Sequence, residues 1–444
     1  MGRWRAMKAL MGGLLLAAVC GGCSVRSADE LYALPKQSDV YYDLQEAIDR
    51  VMDAGTSYAG PLTGSNQQAV QLADLDGDQE DEAIVFLKAA GEKPLKAYIF
   101  DRTDESFENT AVIEGDGSDF DAVEYVDLDG RDGLEIVVGR QLSDQILQSL
   151  SVYAWGDGSL VELMSANYSE FTVVDLDGDD NKDVFLLRQS TNERAGVAEL
   201  YRWRNGGMER EQEASLSVGA KQIKRIVTGY VAQGVPAVFV ASSYEEDTII
   251  TDIFACVNQG LRNVAVNTEA GVSTQTIRSY HVYAEDIDED GVIELPSLVV
   301  LPSATAEETY WIIDWYNLTT DGEKAVKLTT YHNYAASWYL VLPDAWHDHL
   351  NVSKGPEVAG VPGLTFSKWN GYGEATEEIF TIYSFTGEDR MSLAQSGGRF
   401  ILAEKGETVY AASLGTCQWA RSLTQEDLTA MFHFIYLDWN SGET

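Results

Sequence analysis

A nine-residue acidic loop recurs along the chain, and it constrains the fold more than any other feature. The loop carries an acid at its first, third and ninth positions and, in three of four copies, at its fifth position. Each copy is followed by an apolar segment typical of a strand. The loops begin at Asp74, Asp127, Asp175 and Asp286. Self-similarity at a period of about 50 residues indicates a series of similar supersecondary units.

The spacing of the loops predicts a further unit without acids. The loop starts are 53, 48 and then 111 residues apart, so one unit is expected in the middle of the last interval. Residues 227–240 fit that interval, with a loop that starts near Gly229. A second marker supports the register, because an aromatic residue follows each loop start by 25 to 29 residues: Phe100, Trp155, Trp203, Phe254 and Trp315.

Five units of about 53 residues, each with roughly four short strands, predict a mainly β protein. We interpret residues 66–332 as a β-propeller in which each unit is one blade. Gly156-Asp157-Gly158 and Asn205-Gly206-Gly207 follow two of the aromatic residues and are typical of hairpin turns. The aromatic residues are expected to fill the core between blades, and stacking against a ligand is the alternative.

The acidic loops have the chemistry of calcium sites. Ca²⁺ takes six to eight oxygen ligands in a flexible shell, which several carboxylates and a backbone carbonyl supply. Without a cation, converging carboxylates would repel one another at short range. Three loops have acids at all four positions, and we expect about three structural ions there: Asp74, Asp76, Asp78 and Glu82; Asp175, Asp177, Asp179 and Asp183; Asp286, Asp288, Asp290 and Glu294. The alternative is that these segments are only acidic turns.

Two loops depart from the complete pattern. In the second loop Arg131 stands at the fifth position, where its guanidinium is expected to neutralise the neighbouring acids in place of an ion. That loop is therefore a degenerate metal site, composed of Asp127, Asp129 and Glu135. The fourth loop, with Gly229, Val231 and Gln233 at the corresponding positions, is expected to bind nothing.

The loops resemble the calcium-binding hairpin loops of FG-GAP and VCBS repeats, which occur in integrin-α-type propellers. They differ from EF-hands, which need a Glu at position 12 and flanking helices. Position 12 here is Val85, Val138, Leu186 or Ser297, and the flanks alternate as strands do. The resemblance covers about three-fifths of the chain, and it implies ions that stabilise the blades and take no part in catalysis.

The N-terminus is expected to direct export and lipid anchoring. A basic segment precedes an apolar run at residues 9–19 that is too short to span a bilayer. Small residues then precede Cys23, which resembles a bacterial lipoprotein signal in residues 1–22 with Cys23 as the acylated residue. Residues 23–65 are interpreted as a tether followed by a helix from Asp43 to Ala54.

Residues 333–444 are interpreted as a small α+β domain. Strands are predicted at 362–368, 377–386, 397–403 and 408–413, and a capping box of Thr424 and Asp427 predicts a final helix. Its apolar face is expected to run from Leu428 to Tyr436. The element order resembles the small Mog1/PsbP-like domains of secreted bacterial proteins. His347 and His349 are either a metal pair or, as the more common case, solvated side chains.

The charge balance limits the partners. With 71 Asp and Glu against 31 Lys and Arg, the chain has a net charge of −40, and loss of residues 1–22 would make it −43. Nucleic acid and anionic lipid surfaces are therefore excluded as partners. Three calcium ions would offset only a small part of this charge. We interpret the remaining negative charge as that of a soluble surface whose acidic groups repel other copies of the protein. Cys256 and Cys417 are expected to be free thiols, with a disulfide as the alternative.

The sequence lacks a nucleophile elbow, a zinc-protease helix and a P-loop. The first hypothesis is a monomeric binding or scaffolding protein, lipid-anchored on the outer side of the cell membrane, which recognises a protein or glycan. The alternative is an exported carbohydrate-active enzyme with an acidic pair in the propeller channel, and a third reading is an envelope structural protein. A pocket with two converging carboxylates outside the loops would favour the enzyme, and exposed aromatic residues on one face would favour the binding protein.

Overall fold

The computed structural model describes residues 39–103, 106–143, 147–156, 158–190, 195–258, 260–279, 282–303, 309–372 and 374–435. The protein is mainly β, and its strands form six antiparallel sheets of four or five strands. The predicted lipoprotein signal, Cys23 and most of the predicted tether lie outside the described residues. No described helix has the length and apolar composition that crossing a membrane requires.

The first sheet follows a helix. This helix, α1, spans Asp39–Val51, so it begins and ends earlier than the sequence predicts. The sheet contains β1 (Ser57–Tyr58), β2 (Val70–Ala73), β3 (Glu82–Lys88), β4 (Leu95–Arg102) and β5 (Phe107–Gly115). β2 and β1 both pair with β3, and the other strands follow as an antiparallel meander.

Three four-stranded meanders follow in chain order. The second sheet contains β6 (Asp119–Val126), β7 (Glu135–Ser143), β8 (Leu147–Gly156) and β9 (Ser159–Tyr168). The third contains β10 (Glu170–Val174), β11 (Asp183–Gln189), β12 (Gly196–Arg204) and β13 (Gly207–Ser215). The fourth occupies the interval without acids and contains β14 (Ile223–Ala232), β15 (Val235–Ser243), β16 (Ile249–Val257) and β17 (Gly260–Asn263).

The last two sheets follow in chain order. The fifth contains β18 (Leu295–Val300), β19 (Trp311–Leu318), β20 (Lys324–Asn333) and β21 (Trp338–Leu342). The sixth contains β22 (Leu350–Val358), β23 (Val361–Lys368), β24 (Glu377–Phe385), β25 (Phe400–Lys405) and β26 (Thr408–Leu414). Three helices accompany it: α2 (Arg390–Gln395), α3 (Gln418–Ser422) and α4 (Gln425–Met431).

A last strand, β27 (Phe432–Phe434), returns to the fifth sheet and pairs with β21. The fifth sheet therefore extends across residue 333, where the sequence analysis placed a domain boundary. The predicted capping box at Thr424 is present, with its hydroxyl accepting from the Asp427 backbone N–H at 3.0 Å. The helix ends at Met431, because the aromatic segment after it pairs as a strand, and Tyr436 lies outside the described residues.

Consecutive sheets pack face to face. Strands β3, β7, β11 and β15 are apolar at successive positions, as residues 83–87 of β3 are, because both faces of these strands are buried. Ile84 and Phe86 of the first sheet pack against Phe120 of the second, and separate clusters join the second to the third, the third to the fourth, the fourth to the fifth and the fifth to the sixth. The core is therefore a series of layers between neighbouring sheets.

Helices cover one further face at each end of this series. Ala47 and Ile48 of α1 pack on the first sheet, against Val85 and Phe100. Ala394 of α2 packs on the sixth sheet among Tyr383, Phe385 and Val409. Each helix shields apolar strand residues that no neighbouring sheet covers in the described clusters.

The aromatic markers divide into two groups. Phe100, Phe254 and Trp315 are fully buried, as expected for core residues, whereas Trp155 and Trp203 are half-buried. Asn205 and Gly206 both have positive φ, which is the geometry of a type I′ hairpin turn. Cys256 and Cys417 are free and half-buried.

Candidate functional site

Each acidic loop is built by its own first aspartate. In the first loop, the Asp74 carboxylate accepts the Gly77 N–H at 2.8 Å and the Gln79 N–H at 3.0 Å. Asp127 and Asp175 accept from Gly130 and Gly178 in the same way, each at 2.7 Å. These side-chain-to-backbone bonds close the turns between β2 and β3, between β6 and β7 and between β10 and β11.

The acid at the ninth position is the buried member of each loop. Glu82 accepts the Leu75 N–H at 2.7 Å through one carboxylate oxygen, and Glu135, Asp183 and Glu294 make the equivalent bond to the second residue of their loops. In Glu294, which is fully buried, the other oxygen Oε1 makes no hydrogen bond to another described residue. A buried carboxylate oxygen without a partner is costly and fits a cation ligand.

Within each of the four acidic loops, the structure brings carboxylates together. In each loop, three acids offer oxygen atoms that lie within 4.8 Å of one another. These triplets are Asp74, Asp76 and Asp78; Asp127, Asp129 and Glu135; Asp175, Asp177 and Asp183; Asp286, Asp288 and Asp290. The predicted ligands Glu82, Asp179 and Glu294 lie outside the triplets of their loops.

Burial raises the pKa of the ninth-position acids, and the neighbouring aspartates raise it further. The pKa of Glu82, Glu135 and Glu294 is raised from 4.5 to about 7, and that of Asp183 from 3.8 to about 7. Hydrogen bonds from the loop backbone, and in Asp183 also the charge of Arg202, act in the opposite direction. The loops therefore hold negative charge that a divalent cation would stabilise.

The loops differ in the cations that the protein itself supplies. In the first loop, no Lys or Arg of the described residues lies within 4 Å of a carboxylate. In the second loop, Arg131 contacts Asp129 at 3.5 Å with a largely exposed side chain. In the loop that begins at Asp286, which is the fifth when the loop without acids is counted, Lys327 contacts Asp290 at 3.0 Å. In the third loop, the buried Arg202 contacts Asp177 at 3.1 Å and Asp183 at 3.5 Å.

Neighbouring loops pack against one another. The Leu134 N–H of the second loop donates to the Asp74 carbonyl of the first at 3.0 Å. A Cβ at Gly77 would lie 2.6 Å from the Asp132 backbone, and one at Gly133 would lie 2.7 Å from the Leu75 carbonyl oxygen. Both glycines have positive φ, so turn geometry and close approach together require them.

A polar cavity of about 1020 Å³ lies between the first strands of three sheets. Its walls come from β6, β10 and β14, and the segment of residues 62–67 ahead of β2 contributes a fourth side. β6 and β10 run directly from the cavity into the second and third acidic loops. The loops therefore fix the ends of two cavity walls.

A buried aspartate organises one side of the cavity. Asp121 of β6 accepts hydrogen bonds from the Tyr168 hydroxyl, from Gln148 Nε2 at 2.9 Å and from Gln141 Nε2 at 3.4 Å. Burial and the Asp121 charge raise the pKa of Tyr168, which keeps the phenol protonated as a donor. Glu170 is exposed at the cavity wall, and partial desolvation there, with a smaller contribution from Asp121, raises its pKa.

Glu124, Lys224 and Arg225 complete the charged lining of the cavity. Burial raises the pKa of Glu124, and no charged neighbour contributes to that shift. Arg225 lies 3.3 Å from Glu285, which neutralises it. No carboxylate of the described residues lies within 4 Å of Lys224.

A smaller cavity of about 290 Å³ opens at the fifth sheet. Its aromatic lining includes Tyr310, Trp311, Tyr331 and Tyr334, and Trp311 is 45% exposed. Of these four aromatic residues only Trp311 is exposed, since Tyr331 is buried and Tyr310 and Tyr334 are half-buried.

His347 is part of an ion cluster. Its Nε2 lies 2.9 Å from Asp314 and its Nδ1 lies 2.9 Å from Asp348, so both ring nitrogens face carboxylates. Hydrogen bonds to Asp314 and Asp348 raise the pKa of this imidazole above its usual 6.5. His349 is exposed, and the described residues show no metal-ligating cluster that includes either histidine.

The sequence analysis did not single out the cavity residues or Arg202. Asp121, Tyr168 and Glu170 come from two sheets, and the sequence shows no motif that connects them. Arg202 follows the third loop at the end of an alternating strand, where its charge resembles that of an ordinary edge residue. Only the burial of Arg202 between the loop and Cys256 distinguishes it.

Comparison with known proteins shows little similarity. The sequence matches no protein-family model, and no curated protein matches it significantly. The crystal structure of an exotype rhamnogalacturonan lyase aligns with 74% of this chain and 68% of its own, at 12% identity and a TM-score of 0.26. A similarity this low carries no argument about fold or function.

Proposed function

We propose that the protein is a lipid-anchored binding protein outside the cytoplasm, in which calcium loops stabilise a propeller-like arrangement of sheets around a binding cavity. The ligand is a glycan or a protein segment. The acylated residue would be Cys23, after removal of residues 1–22. Consecutive packing of the sheets supports blades of an FG-GAP/VCBS type, each followed by the next in chain order.

The observation that carries this proposal is the continuity between the cavity and the acidic loops. Residues of β6 that line the cavity lie three to six positions before Asp127, and those of β10 lie two to five positions before Asp175. An ion in the first loop would also brace the second loop and the end of β6, through the bond from the Leu134 N–H to the Asp74 carbonyl. An ion in the fifth loop would brace β14, because the Ile293 N–H donates to the Tyr230 carbonyl at 2.9 Å. Ion binding and ligand binding would therefore be coupled.

The fit of the loops to Ca²⁺ rests on their oxygen donors. Each holds three carboxylates within 4.8 Å, and Glu294 adds a buried oxygen without a partner. Asp74, Asp76, Asp78 and Glu82 would hold an ion in the first loop, and Asp286, Asp288, Asp290 and Glu294 one in the fifth. The ion would supply charge neutralisation and rigidity, and the residues of the cavity would bind the ligand.

The test is ligand binding with and without calcium. Immobilised protein lacking residues 1–22, with Cys23 replaced by Ser, is exposed to a panel of neutral, cationic and anionic oligosaccharides and peptides. We expect binding of at least one class in 1 mM Ca²⁺ and weaker binding after chelation. Absence of binding by every class in calcium would contradict the proposal.

One observation favours the enzymatic alternative. Asp121 and Glu170 face one cavity outside the loops, and the charge of Asp121 contributes to the raised pKa of Glu170. Two carboxylates that face one site are the usual acid and base of glycoside chemistry. Reducing-end release from the same oligosaccharides, lost in both Asp121→Asn and Glu170→Gln, would support a carbohydrate-active enzyme.

A further inference from the structure

We propose that the ligand of the large cavity is an oligosaccharide that carries a free primary amine. This inference rests on the proposed binding function and names the chemistry of its ligand. It is carried by the charges, the hydrogen-bonding groups and the size of the cavity between β6, β10 and β14.

The charge of the cavity is unbalanced toward the negative. Asp121, Glu124 and Glu170 line it, and no Lys or Arg of the described residues lies within 4 Å of their carboxylates. On the opposite strand, Arg225 is already paired with Glu285, which leaves Lys224 as the remaining base of the lining. An anionic ligand would therefore be repelled.

A bound ligand would remove water from these carboxylates. Desolvation of a carboxylate without a counter-charge is costly, whereas an ammonium group placed beside it offsets that cost through a charge-assisted hydrogen bond. An ammonium also donates three hydrogen bonds, which suits acceptors on both β6 and β10. A neutral ligand would leave Glu124 and Glu170 without this compensation.

The rest of the lining suits the hydroxyl groups of a sugar. Thr63, Gln67, Gln148, Thr172 and Thr228 offer uncharged donors and acceptors around the cavity. The Phe171 side chain adds an apolar surface. The volume of about 1020 Å³ is at the upper end of the range of about 300–1,000 Å³ for small-molecule sites, so an oligomer fits better than one sugar.

The test uses three matched oligosaccharides: a glucosamine hexamer, its N-acetylated form and a galacturonate hexamer. Isothermal titration in 1 mM Ca²⁺ and 0.15 M salt compares wild type with Glu170→Gln and Glu124→Gln. Glu162→Gln is the control, because Glu162 is exposed on β9 outside the cavity and its loss changes the net charge equally. Trilysine is a fourth probe, which tests whether an amine without sugar rings suffices.

We expect the glucosamine hexamer to bind at least about tenfold more tightly than its acetylated form, which is about 1.4 kcal/mol, with no binding of galacturonate. Both cavity variants should weaken the amine oligomer about tenfold, and the control should change it less than twofold. Equal binding of the two glucosamine forms, or tighter binding of trilysine or galacturonate, would overturn the inference and leave a binding function intact. Absence of binding by all four probes would also overturn the inference about the amine. The proposed binding function would still be tested by the panel of oligosaccharides and peptides described above.

A second inference follows from a different observation. We infer that Arg202 occupies the cation position of the third loop, so that this loop binds no calcium. Arg202 is 7% exposed, and its guanidinium contacts Asp177 at 3.1 Å, Asp183 at 3.5 Å and Glu211 at 3.0 Å. Its second terminal nitrogen donates to Cys256 Sγ at 3.1 Å.

These contacts make Arg202 a fixed charge. Two of the four predicted ligands of the third loop already share one guanidinium, and the fourth sheet holds its other end through Cys256. To bind in the third loop, an ion would have to displace Arg202 from Asp177 and Asp183. Among the described residues, only the Glu211 carboxylate would then remain as a partner of the buried guanidinium. Arg131 and Lys327 differ, because their exposed side chains can turn into solvent.

Calcium stoichiometry after chelation and dialysis tests this inference, measured by native mass spectrometry. Arg202→Gln should gain one ion relative to wild type, and Arg204→Gln, which also loses a contact to Glu211, should gain none. Should Arg202→Gln fail to fold, Asp177→Asn should leave the wild-type count unchanged, whereas Asp76→Asn should lower it by one. Loss of an ion in Asp177→Asn, or no gain of an ion in folded Arg202→Gln, would overturn this inference. Calcium bound at the first loop would still support the proposed function in that case.

Discussion

Replacement of Glu294 by Gln should stabilise the protein when calcium is absent and abolish its response to calcium at the fifth loop. Glu294 is fully buried, one of its oxygens makes no hydrogen bond to another described residue, and burial raises its pKa from 4.5 to about 7. An acid whose pKa is raised by folding destabilises the folded state above that pKa. Its cost is complete at pH 8 and disappears as the pH falls toward 4.5.

The size of the effect follows from the shift. A rise from 4.5 to about 7 corresponds to roughly 3 kcal/mol at pH 8, since one unit is 1.36 kcal/mol. Gln has nearly the same shape and can still accept the Ile287 N–H, which Glu294 accepts at 3.2 Å. In chelator at pH 8, Glu294→Gln should therefore gain up to about 3 kcal/mol, and its stability should change less than wild type between pH 8 and pH 5.

Urea denaturation followed by tryptophan fluorescence measures these differences, with Glu289→Gln as the control. Glu289 belongs to the same loop and is exposed. Its replacement should leave the midpoint unchanged in chelator and preserve the increase with calcium. The reasoning is refuted if Glu294→Gln is no more stable than wild type in chelator at pH 8, or if Glu289→Gln gives the same increase.

Three further substitutions test the fold and its contacts. Gly77→Ala should cost at least about 1 kcal/mol more than Gly178→Ala in urea denaturation, since both glycines have positive φ but only Gly77 meets the backbone of the next loop. Trp315→Ala should cost about 3–5 kcal/mol by the same assay, because Trp315 is completely buried. His347→Gln should lower the melting temperature at pH 5.5 and have less effect at pH 8.5, because Asp314 raises the folded pKa of His347 and this contribution is lost as the pH rises through it.

The sequence was most informative where local chemistry decides the structure. The acidic loops, the turn at Asn205 and Gly206, and the capping box at Thr424 depend on neighbours within a few residues, and each is present in the structure. The unit without acids was predicted from spacing alone, and the fourth sheet occupies that interval.

Long-range pairing could not be read from the sequence. β27 joins β21 across about 90 residues, and no local signal distinguishes that strand from a continued helix after Met431. The bounds of α1 also differ from the prediction, since the helix begins at Asp39 and ends at Val51, before Gly55.

The residues of the candidate sites also fall into a group that local sequence predicts and a group that only long-range contacts bring together. The metal-loop positions follow from a pattern of nine residues, whereas the cavity unites Asp121 with Glu170 across two sheets. Arg202 belongs to the same class, because only folding places its guanidinium between Asp177 and Cys256. Predicting such contacts requires knowledge of which sheets are neighbours.

The dependence of thermal stability on calcium tests the central claim most directly. Protein lacking residues 1–22 is melted after thorough chelation, then with 1 mM Ca²⁺, with 1 mM Mg²⁺ and with calcium followed by chelator. An ion at 100 times its dissociation constant adds about 2.7 kcal/mol per site, so calcium should raise the melting temperature by several degrees and chelator should reverse the rise. Magnesium should have a smaller effect, because it requires stricter octahedral geometry. An unchanged melting temperature in calcium would contradict the account.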